Sequence, residues 1–579
     1  MLAGLATTVY LLTLEPTVSF WDCGEFIATA HTLQVSHPPG APLYQLLAHL
    51  FCMLAGSHVE RVALYCNALS AVAAGLTVMF LYWTLERMMG CGRTTRQRIH
   101  VGAVTGALCY LFCHTVWFSA VESEVYSLAM LFASAIIWNV WRWRDSLEYG
   151  GSGRWLLLTA LLLGMAICVH LLTLLTLPVV LAIVGANLRH IRPRRGPVAR
   201  LTLVALLLFS IGLSPYLIIP LRAAGHPPLN YGNPDNAARF RAYLLRDNYE
   251  HAPLYPRLWR HHPHDDENAA EWSGGDSGLK GNLRYYFTYQ LGYMYGRYLC
   301  DNFVARYNER SGTLVWYVLP MLLALGGLVV QRQRQRGTFR ATLLLFLLAG
   351  PLLNLYLNHP CYEPRERDYA YVLSFYAVCL WIGFGAEGIW QRVARCKWCR
   401  NGVAVLLIAA PLMMAWGNWS DHDRSRSWIA HDVAMNLLNS CDDGALLFTF
   451  GDNDTFPLWY VQQVEGARKD IRCENINLIS YGRFLNLLEE NIEDRPCYLT
   501  QYAYDQLHTW FDDHLQLEGM TYRFCKDRCT PVDTSALRRH LSEGIRWHDT
   551  TGVNIGHVGR SFLKQYESAK AQLSTPNPE

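Results

Sequence analysis

The stretch SFWDCGEFIATAHTLQVSHPPGAPLY, residues 19–44, sets two carboxylates, Asp22 and Glu25, and two imidazoles, His31 and His37, among aromatic rings and a Pro-Pro-Gly turn. A spacing of three puts Asp22 and Glu25 on one face if the segment is helical. Carboxylates hemmed by Phe20, Trp21 and Phe26 are costly at a membrane interface unless used or paired. The plainer alternative is an N-cap inside an aromatic belt. WFSAVESEVYSL repeats the theme with Glu122, Glu124 and Tyr126, two acids and no base. There the alternative is helix capping by Ser123 or Glu124. Matching cations occur in HPCYEPRERDYAY, with Arg365, Glu366, Arg367 and Asp368, and in IIPLRAAGHPPLNYGNP, with Arg222. A guanidinium fork suits phosphate oxygens, which makes these arginines candidates for holding a lipid-borne phosphate. The alternative is pairing of Arg365 and Arg367 with Glu366 and Asp368. His170, in AICVHLLTL, suits a helix cap as well as a catalyst.

Two further patterns resemble metal ligands. Asp452 and Asp454 form an Asp-x-Asp in GDNDTF, which an Asx turn explains equally well. RHHPHDDE, with His261, His262 and His264, lacks a scaffold and reads as solvated surface, and Cys396 and Cys399 in CKWC have no second pair. Cys525 and Cys529 are spaced for a disulfide that the sequence does not decide. No phosphate loop, dinucleotide fingerprint, nucleophile elbow or H-E-x-x-H occurs.

The elements that must position these residues are greasy. The chain has 579 residues, 51% hydrophobic and 17% charged, against roughly 25% charged in soluble domains. A net charge of +3 offers no argument for nucleic acid. Apolar runs near 62–85, 101–118, 126–141, 155–170, 172–188, 201–219, 313–330, 341–357, 370–390 and 401–416 approach the 17 to 25 residues of a span. MLAGLATTVYLLTL precedes them and is short, which fits a tilted first helix or a trimmed start better than a removed signal peptide. Twenty basic residues fall in every second connection, and by the positive-inside rule those connections are cytoplasmic. The expectation is about eleven transmembrane helices, N-terminus in and C-terminus out, over residues 1–419. Loops 15–61 and 220–312 lie outside, with a C-terminal α/β domain over 420–579. Within it GALLFTFGD, TFPLWYVQQVEGA and IRCENINLI read as strand, helix and strand.

Acids after helix one, arginines at outer helix ends and an outside C-terminal domain together resemble the GT-C glycosyltransferase architecture. PTVSFWDCGEFIATA, HPPGAPLY, WFSAVESEVY, RERDYAY and GDNDTFPLWYVQQVEG are similar, in order, to a family of Bacteroidota and eukaryotes that includes transmembrane protein O-mannosyltransferases. The likeness covers nearly the whole chain, although members often begin with a longer first helix. It implies transfer of a sugar, mannose above all, from a polyprenyl phosphate to Ser or Thr of an exported protein, in a bacterial inner membrane with the site in the periplasm. Asp22 would be the base and Glu25 would orient it or the acceptor. Arg222, Arg365 and Arg367 would hold the leaving phosphate. His37, Glu122, Glu124, Tyr126, His170, Glu366 and Asp368 would line the substrate site. One base and no nucleophile pair implies inversion. No metal is required unless the donor is a pyrophosphate. Competing readings are a transferase acting on lipid or surface polysaccharide, an oligosaccharyltransferase, and a lipid-linked-sugar transporter. The transporter would need charges at the bilayer midplane.

Overall fold

The computed structural model describes residues 1–475 apart from 91–99, 150–152, 192–194, 248, 250, 261–262, 364 and 394–396. His261, His262, Cys396, Cys525 and Cys529 lie outside the described residues. Two compact units emerge: residues 1–443 with 451–471, and residues 444–450 with 472–579. The expected boundary after residue 419 falls inside the first.

The first unit opens with α1 (Leu2–Leu12), α2 (Cys23–Thr32), α3 (Pro42–Cys52) and α4 (Val62–Met88). The Thr13 hydroxyl bonds back to Val9 O at 3.0 Å and Pro16 soon follows, so α1 cannot propagate. At 27 residues α4 is long enough to span a bilayer. The run at 101–118 is one apolar stretch but two helices, α5 (Val101–Leu111) and α6 (His114–Ala120), bent by 61°. Asn302 Oδ1 takes the Thr115 N–H at 3.0 Å, while Tyr10 and Asn418 donate to the carbonyls of Leu111 and Phe112. Side chains thus satisfy the broken helical ladder, which is what permits the kink.

Next come α7 (Val125–Ser146), α8 (Arg154–Ile167), α9 (Thr176–Ile191), α10 (Arg195–Gly212) and α11 (Ile218–Ala223). The last two are bent by 41° around Ser214-Pro215. The expected loop 220–312 contains α12 (Ala237–Leu245), α13 (Pro263–Ser273), α14 (Leu279–Tyr285), a π-helix over Tyr286–Tyr295 and α15 (Gly296–Phe303). The span expected at 313–330 is corrected. Its first residues form β2 (Thr313–Trp316), antiparallel to β1 (Ala305–Asn308), and α16 begins only at Leu319. Val315 and Trp316 are strand formers, and an apolar run alone cannot separate strand from helix.

The unit continues through α16 (Leu319–Arg334), α17 (Arg336–Ala349), α18 (Pro351–Leu357), α19 (Val372–Val393), α20 (Lys397–His422) and α21 (Ile429–Asn439). Helix α19 is almost wholly buried. It packs through Gly383 and Gly385 against Gly102, Gly106 and Gly327, where an added Cβ would strike facing backbone. Small residues allow this close approach where lipid supplies no hydrophobic drive. Among the described residues five helices are individually long and apolar enough to cross a membrane, up to seven spans result if each bent pair counts as one, and four shorter apolar helices accompany them.

In the second unit β3 (Leu446–Thr449) and β4 (Arg472–Asn475) pair in parallel, as the strand-helix-strand reading expects. The intervening α22 (Asp452–Gln463) belongs to the first unit and packs on α2. Gly24 faces the Phe456 carbonyl, which a methyl group would strike. Gly24→Ala should therefore lower stability by about 1–3 kcal/mol, an overpacking cost read as a fall in melting temperature. An unchanged melting temperature would contradict this packing.

At one end of the helices Arg87 pairs with Asp145 at 2.8 Å and Arg334 bonds Gln391 at 2.5 Å. The C-terminus of α1, the α6–α7 turn, the start of α19 and the end of α20 meet at the other.

Candidate functional site

Two ion-pair chains build that second end. In the first, Arg365 reaches Asp22 Oδ2 at 2.7 Å with one arm and Glu124 Oε1 at 2.6 Å with the other. Its guanidinium lies over Trp21 and Tyr369, 5.1 and 4.7 Å from their ring centres. In the second, Arg424 Nη1 bonds Glu122 at 2.6 Å and Glu15 at 3.2 Å. Asn67 on α4 ties the loops together, donating to the carbonyls of Glu15 and Thr17 while accepting from Ser123 at 2.5 Å.

Local chain rules explain how each group arrives. Asp22 is the N-cap residue of α2, but its carboxylate turns to Arg365 rather than capping. Trp21 before it sits at φ 61°, a left-handed conformation that costs an aromatic residue about 1–3 kcal/mol. Asn453 of α22 holds it there by accepting the Trp21 N–H at 2.6 Å. Glu25 lies in the first turn of α2, 1% exposed, and clasps His37 through its backbone N–H at 2.6 Å and Nδ1 at 2.5 Å. Glu25 makes its side-chain contacts with His37 and not with Asp22, because the chain folds back at Pro38-Pro39 and offers Glu25 a cation.

The other predicted residues are placed as follows. Arg222 donates to the carbonyls of Leu33 and Thr32 at 2.5 and 2.9 Å, capping α2 outside the two chains. Arg367 bonds Glu363 and Tyr369, each at 2.7 Å, and is about one-third exposed. Glu366 pairs with Arg297 and Tyr298, and Asp368 accepts from Thr115 at 2.5 Å. Pairing inside RERD, the plain alternative, does not occur. Tyr126 stacks 4.3 Å from Tyr369 and 5.3 Å from His170. His170 Nδ1 accepts the Leu172 N–H at 3.1 Å, a capping role at a helix start rather than a helix end. Asp454 caps Gly451 N–H at 2.7 Å, so the two carboxylates of the expected pair do not act together.

Sequence reading missed Glu15, Arg424 and Asn453. Arg424 follows α20 directly, as a search for cations at every outer helix end would have found. Asn453 carries no sequence signal of its role, since its partner is a backbone N–H.

Electrostatics divide the acids. Burial pushes the Asp22 carboxyl up, but Arg365 and then His37 override it and hold it below the ordinary value. Burial wins at Glu124, which rises to about 8 despite Arg365. Glu122 is also raised by burial, against the pull of Arg424. Near neutral pH Asp22 is thus a carboxylate while Glu124 carries a proton. Burial lowers His37, but Glu25 and Asp22 lift it to about 9. His170 is lowered by burial to about 4 and stays neutral. Burial, then Asp22 and Glu25, raise Asp452 to about 6. One ligand atom each from Cys23, Glu122 and Glu124 lies within 4.8 Å of the others, geometry compatible with a metal ion. Yet both carboxylates already bind guanidinium groups, and burial raises the Cys23 thiol well above its usual value. This set fits a divalent ion poorly.

His37 gains its charge on folding, so the Glu25–His37 pair contributes stability in full below about 6.5 and loses it as pH rises through about 9. Glu25→Gln should flatten this loss, seen as melting temperatures that no longer fall between pH 7 and 10. Parallel curves for both proteins would refute the pairing.

These features define an integral, polytopic helical membrane protein with a buried charged centre at one end of its helices. Residues 22–190 match the family model described as Protein O-mannosyl-transferase TMEM260 N-terminal domain, and residues 430–486 match TMEM260-associated domain 2. The chain is 24% identical over 498 residues to Protein O-mannosyl-transferase TMEM260 of Mus musculus, covering 82% of this chain and 62% of the relative. It is 22% identical over 557 residues to Protein O-mannosyl-transferase tmem260 of Dictyostelium discoideum, covering 85% and 62%. The chain thus spans 62% of the length of these curated relatives. Among solved structures, ArnT from Cupriavidus metallidurans bound to undecaprenyl phosphate aligns over 84% of this chain and 90% of that one, at 12% identity and TM-score 0.38. That likeness is too slight to carry an argument.

Proposed function

We propose that the protein is a GT-C glycosyltransferase that moves a sugar, mannose by the names of its relatives, from a polyprenyl phosphate to a Ser or Thr hydroxyl of an exported protein. The hydroxyl oxygen attacks the anomeric carbon and its proton passes to Asp22. The bond from that carbon to the phosphate oxygen breaks, and polyprenyl phosphate leaves with the bonding electrons. One displacement inverts the anomeric centre. The observation that carries the reading is Asp22, held by Arg365 at 2.7 Å and close to two cations that reach solvent, His37 and Arg367.

Those cations neutralise the departing phosphate. Arg365 keeps Asp22 charged and meets the phosphate only by releasing an acid, since its fork is engaged on both sides. Arg222 takes no part. A small apolar cleft lined by Tyr126, Met130, Leu172, Tyr369 and Leu373 opens beside the Tyr126–Tyr369 pair. No divalent ion enters the step. The site faces away from the cytoplasm, which in a bacterial inner membrane is the periplasm, because the basic connections lie at the opposite end.

The test is incubation of purified full chain with polyprenyl-phosphate mannose and a Ser/Thr-rich exported protein, with mass spectrometry of the product. Hexose on Ser or Thr supports the reading. Hexose only on lipid or polysaccharide overturns the protein acceptor, and no transfer overturns the enzyme.

A further inference from the structure

The β1–β2 hairpin has two unlike faces. Its inner face is pinned to the last turns of α20: Arg306 pairs with Asp421 at 2.5 Å, and Asn308 donates to Gly417 O at 3.0 Å and Ser420 Oγ at 2.8 Å. Backbone N–H groups of Glu309 and Arg310 also reach Asp421, at 3.3 and 3.2 Å. Val315 lies over Gly417, where a Cβ would collide with its side chain.

Register and strand alternation put Tyr307, Leu314 and Trp316 on the other face, with Tyr307 opposite Leu314. They are 57%, 51% and 60% exposed. A hairpin satisfied only on its polar side, with two aromatic rings and a leucine turned outward, needs an apolar cover or bears the cost of wetting them.

We infer that this outward face lies in the lipid interface, beside the charged centre. Continuity with the membrane surface identifies the occupant. Gly417, against which the hairpin sits, adjoins Trp416, 87% exposed, and the same helix exposes Leu412 and Met413 one turn earlier. This is the face of a helix apolar enough to cross the bilayer. Trp316, Tyr307, Trp416 and Trp419 together make an aromatic band at the end of a span, where amphipathic rings settle at headgroup level. Exposed Arg310 at the hairpin tip adds a cation suited to lipid phosphates. The polar bonds to α20 make the hairpin a rigid float, which sets the depth of Arg424, two residues past α20, and through it the Glu122–Glu15 chain. A lipid-borne substrate would then meet the site at a defined height.

The test does not depend on the transferase reading. Photoreactive benzoylphenylalanine is placed in turn at Leu314, Val315, Trp316 and Leu412 of the full chain, in nanodiscs of phosphatidylcholine and phosphatidylglycerol. After irradiation, adducts are identified by mass spectrometry. Positions 314 and 316 should yield acyl-chain adducts at the level of position 412, and position 315 should yield crosslinks to α20. The inference is overturned if 314 and 316 give no more lipid adduct than 315. It is equally overturned if they crosslink to polypeptide, whether residues 476–579, a second copy or another protein.

Discussion

Asp22→Asn should abolish sugar transfer, lowering kcat by about 10²–10⁴-fold, the usual contribution of a positioned base. The amide keeps the shape of the carboxylate and its oxygen still accepts from Arg365, so the variant should fold. What disappears is the capacity to take the acceptor proton. Glu124→Gln provides the contrast. Glu124 binds the other arm of the same arginine, but burial raises it to about 8, so its carboxyl is already neutral near pH 7. Its replacement should change kcat by only a few-fold on the same scale. Initial rates for both variants, with melting temperatures alongside, decide the matter. A folded Asp22→Asn protein with the wild-type rate would remove Asp22 from the chemistry, and a deeper loss in Glu124→Gln would move the base there.

Arg365→Gln should cost about 3–5 kcal/mol of stability, because it strands the Asp22 carboxylate and takes the Glu124 carboxyl's partner away in a poorly hydrated site. Asp22 and Glu124 side chains are 18% and 1% exposed, and Arg365 itself 12%, so water cannot replace the lost cation. Arg365→Lys should recover only part of the loss. A lysine is a point charge and cannot span Asp22 and Glu124 with a planar fork. Adding Asp22→Asn to Arg365→Gln should return more stability than Asp22→Asn changes alone, a coupling that a double-mutant cycle reads directly. Thermal or denaturant unfolding in one detergent measures all four proteins. A loss under about 1 kcal/mol for Arg365→Gln would mark the pair as an ordinary surface ion pair and undo the account of a charged centre built on burial.

Hydropathy and charge spacing are properties of neighbours in the chain, and what depends on neighbours was legible in the sequence alone. A membrane chain of many helices, basic connections at one end, acids and arginines at the other, and two parallel strands flanking a helix in the tail all follow from local runs. So does the reason Asp22 stands out, because a carboxylate among aromatic rings after an apolar helix is costly wherever the chain goes.

Only the tertiary structure decided who pairs with whom. Arg365 lies beside Glu366 and Asp368 in sequence yet bonds Asp22, 343 residues away, and Glu124, 241 away. Arg424 joins Glu122 across 302 residues. Glu25 and Asp22 share a helix face, yet one turns to His37 and the other to Arg365. Any of several cations satisfies a carboxylate equally well, so the choice passes to helix packing, which brings distant ends together. The hairpin at 305–316 shows the same limit: a short apolar run pairs as a strand or winds as a helix according to its contacts, here the end of α20.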